Sequence, residues 1–529
     1  MKSIWLVCIS TLVLTVIAAT SLVAEPVPAV QPAPLHFGPA SFIDFSYLSI
    51  SPDSIATGDL NGDGKIDLVV TEDYGGTVGV LLGNGDGTFQ PVVYYSSNGG
   101  NLGAWVAIAD LNGDGYADVV VLNECDNVNC GDGGIISVFV GNGDGTLQAP
   151  VSYGSGGYLG TGIAIADVNG DGHPDLVVSN LCQVVNSNCA QGSVAVLLGN
   201  GDGTFQPPRA YASGDSLPSA VAVADLNGDG KLDVVLATAQ TVSPYTTAIS
   251  VLLGNGDGTF QSAVSYGAGG WSPVSIAVAD LNGDGQPDVA VASMCFYSDC
   301  TPVKTGGVSV LLGNGDGSFQ PGVLYKSGGG AYASWVAIGD LNGDGQPDLV
   351  VTNMCQSADD YGDCYPTGKA SVLPGKGDGT FETPRNFGTV GSETASVAIA
   401  DVNGDGRPDL VAADECDLSE FCLEGGVAVL LNELSVYPVI TLTSSPNPSQ
   451  VNQTVIFTAT ITANPAIPNG EIVTFYNGNT SLGTGLTTNG VATLTTSFSA
   501  AKAYRIKATY PGDAYHRAAS VGVKQVVNQ

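Results

Sequence analysis

"DLNGDGKID", residues 59–67, sets three aspartates and an asparagine between two apolar runs, in a 529-residue chain of which only 12% is charged. The same pattern, Asp-x-Asn-Gly-Asp-Gly-x-x-Asp, occurs seven times, with first aspartates at Asp59, Asp110, Asp167, Asp225, Asp280, Asp340 and Asp401. The intervals are 51, 57, 58, 55, 60 and 61 residues. Self-similarity at that period marks a repeat architecture whose unit has the length of a four-stranded blade.

Residues 101–150 show how one unit reads. "WVAIAD" (105–110) suits a strand, the acidic loop follows, and "ADVVVLN" (117–123) makes a second strand. After a cysteine-bearing loop come "GIISVFVGN" (134–142), a turn "NGDGTL" and a short strand near "APVSY" (149–153). Four strands in meander order make a blade, and blades packed face to face round an axis leave few exposed edges.

The turn "NGDGTF" or a close variant starts at Asn84, Asn142, Asn200, Asn255, Asn314 and Lys376, six copies against seven acidic loops. The last unit stops after "GGVAVLLNELS" (425–435), while "LHFGPASFIDFSY" (35–47) precedes the first motif without a unit of its own. The N-terminal stretch is therefore expected to supply the missing outer strand and close the ring. The fold class expected is all-β: a seven-bladed β-propeller over residues 25–435, followed by an Ig-like β-sandwich over residues 436–529.

The loop chemistry points to calcium, which takes six to eight oxygen ligands in a tolerant geometry. The expected ligands in the first loop are Asp59, Asn61, Asp63, the carbonyl of Lys65, and Asp67. Gly62 and Gly64 let the loop turn. The equivalent sets are Asp110, Asn112, Asp114, Tyr116 and Asp118; Asp167, Asn169, Asp171, His173 and Asp175; Asp225, Asn227, Asp229, Lys231 and Asp233. The remaining three are Asp280, Asn282, Asp284, Gln286 and Asp288; Asp340, Asn342, Asp344, Gln346 and Asp348; Asp401, Asn403, Asp405, Arg407 and Asp409. The pattern resembles the first half of an EF-hand loop, with an aspartate at position nine and no flanking helices. Oxygen-only ligands exclude a zinc or copper preference, and so many protein ligands disfavour magnesium. A plain turn would explain the glycines but not a third aspartate in all seven copies, so about seven Ca²⁺ are expected. For "NGDGTF" a single aspartate among glycines reads as a tight turn only.

Seven motifs of three aspartates hold 21 of the 50 acidic residues, so the formal charge of -35 is localised in sites rather than spread as in a disordered acidic chain. Cations are the partners this predicts. Nucleic acid would be repelled, and the 15 Lys and Arg form no basic stripe.

Met1-Lys2, an apolar run from Ile4 to Val23 and Ala24-Glu25-Pro26 look like a secretory signal peptide over residues 1–24, with an uncleaved anchor as the competing reading. No second apolar stretch of membrane length follows, so no span is expected in the mature chain. Apart from Cys8, ten cysteines fall into close pairs: Cys125/Cys130, Cys182/Cys189, Cys295/Cys300, Cys355/Cys364 and Cys416/Cys422. Local pairs on an exported chain read as disulfides. Zinc competes, but no histidines lie nearby to complete its usual ligand set.

Aspartate-rich loops between the first and second strands of seven units resemble the FG-GAP repeats of integrin alpha-subunit propellers and their bacterial relatives in secreted and surface proteins. The likeness covers roughly residues 35–435. It implies calcium loops on a lower face, ligand binding on the upper face, and a secreted or cell-surface bacterial protein. Beyond Val436, "TFYNGNTSLG" and "ATYPGD" are similar to bacterial Ig-like repeats, which usually act as spacers or stalks.

The catalytic inventory is poor. His36, His173 and His516 are the only histidines, and no Ser-His-Asp or metal-histidine constellation is visible, so the chain is not expected to be an enzyme. Trp105, Tyr158, Trp271 and Trp335 occur in glycine-rich segments joining successive units, "GGNLGAW", "GSGGYLG", "GAGGW" and "GGGAYASW". Flat aromatics there suit recognition of an extracellular glycan or protein; packing between blades is the competing reading. The expected function is surface adhesion or ligand recognition by a monomer. A ligand-free structural surface protein comes second, and a lyase-like polysaccharide-active enzyme third.

Overall fold

The computed structural model describes residues 35–45, 52–72, 76–99, 104–124, 133–183, 191–214, 216–240, 246–296, 305–355, 357–358, 364–365, 368–416, 425–432, 438–463, 466–512, 516 and 518–529. The expected signal peptide, residues 1–24, lies outside the described residues.

In the first unit Pro52–Gly58, Asp67–Glu72, Thr77–Leu81 and Val93–Ser96 run antiparallel in meander order. The register is set by pairs such as Ile55↔Val70, Val69↔Val80 and Val80↔Val93. The second strand, DLVVTE, is buried along its whole length because both of its faces are covered. Side chains alternate between those faces. Leu68 and Val70 enter one core with Val411 and Val429 of the last unit, whereas Val69 enters another with Val119 and Val121 of the second unit. Each blade is thus glued to both neighbours by one strand's alternation.

Among the described residues seven such meanders follow one another, giving the β-propeller expected from the loop spacing. Val264–Ala279 and Val323–Gly339 each serve as the outer strand of one blade and then the innermost strand of the next. The seventh blade consists of Ser392–Ala400, Asp409–Cys416, Gly426–Leu430 and, as its outer strand, the N-terminal Ser41–Asp44. Ser41 pairs with Val429 and Asp44 with Gly426, as the surplus N-terminal stretch predicted.

The same segment replaces the missing seventh turn. In five of the other blades a glycine bridges the turn phenylalanine, as in Gly83↔Phe89 and Gly199↔Phe205, and in the second Gly141 bridges Leu147. In the seventh, Asn432 bridges Phe37. Gly38 N donates to Leu431 O at 2.9 Å, as Gln90 N does to Leu82 O at 2.8 Å in the first blade.

The NGDGTF turns do more than reverse the chain. Asp86 Oδ1 accepts from Thr88 N at 3.0 Å and from its hydroxyl at 2.5 Å, which fixes the turn. Gly87 N then donates to Val402 O of the preceding blade at 3.0 Å, and Gly145, Gly258, Gly317 and Gly379 make the equivalent bond. Four of the turn phenylalanines stack edge-on against a tyrosine on the outer strand of the preceding blade: Tyr153–Phe205, Tyr211–Phe260, Tyr266–Phe319 and Tyr325–Phe381. Phe37 occupies this place at the closing blade, with its centroid 4.8 Å from Phe387.

Residues 439–528 form the Ig-like sandwich. Val439–Ser445, Thr454–Thr462 and Val491–Ser497 make one sheet. Ser449–Gln450, Ala519–Asn528, Ala503–Tyr510, Ile472–Asn477 and Thr480–Leu486 make the other, in that order. Phe457, Phe475, Ile506 and Tyr510 fill the space between them. The last strand, Ala519–Asn528, is not singled out by the sequence reading: Gly522, Lys524 and Gln525 weaken its apolar pattern.

Candidate functional site

Each aspartate loop joins an innermost strand to the strand beside it, and all seven share one hydrogen-bond scheme. Asp59 Oδ2 accepts from Gly64 N at 2.8 Å, Asn61 Oδ1 from Asp63 N at 2.9 Å and Asp63 Oδ1 from Lys65 N at 3.0 Å. Gly62 and Gly64 have φ of 70° and 78°, the left-handed region that other residues rarely adopt. The ninth residue behaves differently. Asp67 is fully buried, its Oδ2 accepting from Leu60 N at 2.9 Å and its Oδ1 from Gly83 N at 2.7 Å. It ties the start of its own loop to the turn after the third strand, and Asp118, Asp175, Asp233, Asp288, Asp348 and Asp409 do the same.

Burial raises the pKa of every one of these ninth-position carboxyls, to about 6 at Asp348 and Asp409. The backbone amides oppose the rise, and the two other carboxylates of each loop add to it. The three aspartates therefore repel one another, and the loop offers only oxygen donors. By donor type the residues fit a hard divalent cation. Their side chains are turned onto the loop's own amides, and among the described residues no three acidic, histidine or cysteine side chains converge as a ligand group. Lys65 and Lys231 at position seven each reach the adjacent aspartate, at 3.2 and 3.7 Å, in exposed pairs of little energetic weight.

The expected aromatic face divides in two. Tyr158 and Trp271 begin innermost strands, opposite Cys182 and Cys295. Trp105 and Trp335 lie five residues before the first aspartate of their loops, where the other blades carry Ser54, Gly162, Ala220, Ser275 and Ser396. These small residues leave room along the axis, and the two indoles fill it, 4.5 Å apart between ring centroids and inclined at 34°. Trp105 packs on cores of the second and third and of the fourth and fifth blades, and so spans the channel.

Beside the indoles is a cavity of about 330 Å³ with lining residues from all seven blades. Asp53, Glu124 and Glu415 bring carboxyl groups to it, Met294 and Met354 flexible apolar side chains, and among the described residues no Lys, Arg or His lines it. Sequence reasoning missed these residues. The signal was positional: Glu124, Leu181, Met294, Met354 and Glu415 each stand fourteen residues after the first aspartate of their unit.

Near the cavity a buried polar position recurs five residues after each ninth-position aspartate. Asn123 and Asn180 accept there from Ser97 and Ser155 hydroxyls, at 2.9 and 2.6 Å. The first blade has Glu72 instead, its carboxyl pushed up to about 7 by burial, with Oε1 lacking a hydrogen-bond partner among the described residues. The seventh has Asp414, also pushed up to about 7 by burial, accepting from Thr394 Oγ1 at 2.6 Å and Gly391 N at 3.0 Å.

Cys182 and Cys295 are disulfide-bonded. Their expected partners Cys189 and Cys300, and Cys125, Cys130 and Cys422, lie outside the described residues. For Cys355, Cys364 and Cys416 only the backbone is described, with Cys355 and Cys416 ending second strands.

Residues 59–121, 125–178, 184–236, 237–291, 300–351 and 361–412 match the FG-GAP-like repeat. The chain belongs to the FG-GAP-like repeat family. The related FG-GAP repeat also matches at 272–311 and 332–373, and a bacterial Ig-like domain (group 3) at 442–528. The FG-GAP-like chain is 29% identical to integrin alpha pat-2 of Caenorhabditis briggsae over 279 residues, 46% of this chain and 21% of that protein. It is 29% identical to the phosphatidylinositol-glycan-specific phospholipase D of Bos taurus over 163 residues, 26% of this chain and 18% of that enzyme. It thus spans about a fifth of the length of the curated relatives it matches. Among solved structures it is similar to the biofilm matrix protein Bap1 of V. cholerae, with 15% identity, a TM-score of 0.37 and coverage of 76% of this chain and 91% of that one. Among the described residues no helix is long and apolar enough to cross a membrane.

Proposed function

We propose that this chain is an exported, calcium-binding propeller that recognises an extracellular glycan or protein in adhesion at a cell surface or in a surface matrix. The observation that carries the reading is the axial cavity: residues from seven separate blades converge on one apolar and acidic pocket with paired indoles. A ring assembled only to be rigid has no need of two tryptophans where five equivalent positions are small. Indole faces stack on sugar rings and on flat or cationic side chains, while the carboxyl groups orient hydroxyls or amines. Calcium in each aspartate loop would relieve the repulsion among its three carboxylates and fix the lower ends of the blades. Disulfides in the five expected pairs would tie the loops at the other end, in keeping with export. The integrin alpha likeness supports the extracellular setting.

The test is a glycan and matrix-protein array probed with the calcium-loaded chain and with a Trp105→Ala, Trp335→Ala double variant. Binding by the parent that falls at least tenfold in the variant is expected. Equal binding by both, or none by either, would sink the reading. Release of product from a bound polysaccharide would instead favour an enzyme, whose acid and base would be sought among Asp53, Glu124 and Glu415.

A further inference from the structure

The charge of the chain is split sharply between its two parts. Residues 436–529 contain five of the 15 Lys and Arg but only Glu471 and Asp513 of the 50 acidic residues. On the sheet that includes Ala503–Tyr510 and Ala519–Asn528, Arg505 stands directly opposite Lys524, and Lys507 follows two residues along on the same face. All three are exposed, while Tyr504, Ile506 and Ala508 between them are buried. Lys507 Nζ lies 5.4 Å from the centroid of the Tyr476 ring on the next strand. Among the described residues none of these cations forms an ion pair. Like charges directly opposite one another destabilise a sheet. Here Arg505 and Lys507 border a shallow groove lined also by Gly478 and Gly522, positions without side chains to obstruct an approaching surface, and Lys524 stands across the strand pair from Arg505.

An acidic surface of matching character is present on the same chain. The aspartates of the NGDGTF turns, Asp86, Asp144, Asp202, Asp257, Asp316 and Asp378, are exposed at the end of the propeller that carries the aspartate loops. Their carboxyls sit below the usual range because the side chain two residues on donates to them. They are committed to their turns and outside the loops, so calcium bound in the loops would leave them charged. A divalent ion would also offset only two of the three charges in each loop.

We propose that the Arg505–Lys507–Lys524 face of the Ig-like domain docks on the aspartate-bearing end of the propeller of a second copy of this chain. The contact joins two different patches, so it is heterologous and builds head-to-tail chains or closed rings. It is electrostatic and weakens as salt shortens the range of the attraction.

Sedimentation of the full calcium-loaded chain across a concentration series tests this. In about 0.02 M salt the weight-average mass is expected to at least double with concentration, and in roughly 0.5 M salt to return to that of one chain. The triple variant Arg505→Gln, Lys507→Gln, Lys524→Gln is expected to stay monomeric in low salt, whereas Arg505→Lys, which keeps the charge, should still associate. An unchanged melting profile of each variant confirms that the sandwich is intact. A parent chain that remains monomeric in low salt overturns the proposal, whether it compacts on itself or binds an added acidic polysaccharide. Equal association by the triple variant overturns it too.

Discussion

Trp105 and Trp335 sit on blades well apart round the ring, yet their indoles meet across its axis with centroids 4.5 Å apart. They occupy one repeat position in which five other blades have a residue no larger than serine. The channel of the propeller is therefore filled by two side chains rather than seven, and the asymmetry leaves the cavity beside them.

The pair should be energetically coupled. Replacing either tryptophan with alanine is expected to cost about 2–4 kcal/mol, because a large half-buried ring leaves a void. A double-mutant cycle read by urea unfolding should return about 0.5–1.5 kcal/mol of coupling. Strict additivity would show that the rings touch without supporting each other.

Metal loading should be separable by blade. Metal counted per chain is expected to approach seven in the parent and to fall by one in Asp225→Ala, with the remaining sites keeping their affinity. Chelation should lower the melting temperature substantially. Uniform loss of all ions from the single substitution would contradict independent loops.

The buried Asp414 should make stability fall as pH rises. Its folded-state pKa of about 7 lies above the ordinary carboxyl value, so the folded chain holds a proton that the unfolded chain releases. That contribution is complete near pH 4 and is lost through pH 7, at about 1.4 kcal/mol per pKa unit. Asp414→Asn matches what the second, third and sixth blades carry at this position, Asn123, Asn180 and Asn353. It is expected to raise the melting temperature above pH 7 and to flatten the profile between pH 5 and 8. An unchanged profile would assign the pH response elsewhere.

Ring closure should depend on Phe37 as well as on the strand that follows it. Phe37→Ala is expected to cost about 3–5 kcal/mol, since the ring is buried against Phe387 and the seventh-blade core. Removing residues up to 45 should cost more and expose the edge of Gly426–Leu430, detectable as aggregation. A truncated chain that melts like the parent would rule out a latch.

The architecture was legible because its determinants are local and repeated: the loop pattern marks where each first strand ends, and the count of six turns against seven loops exposes the borrowed strand. That Phe37 also stands in for a turn phenylalanine was not legible, because Phe37-Gly38 shares no motif with Phe89-Gln90. The buried role of Asp67 was hidden for a different reason. Its partner Gly83 is sixteen residues away, and only the folded blade brings that amide to the carboxylate. The two classes of aromatic were hidden likewise, since Trp105 and Trp271 both follow glycine-rich segments but stand five and nine residues from their loops.

The latch also has a direction under load. Phe37 lies beside Asn432, and Ser41 beside Val429, so the chain enters and leaves the seventh blade at the same end of the ladder. Tension between the entering segment and the Ig-like tail would peel this ladder open one rung at a time instead of shearing all its bonds together. Held only by backbone bonds it would be a weak point, and the Phe37 ring, wedged against Phe387 of the neighbouring blade, is the first obstacle that a pull must dislodge.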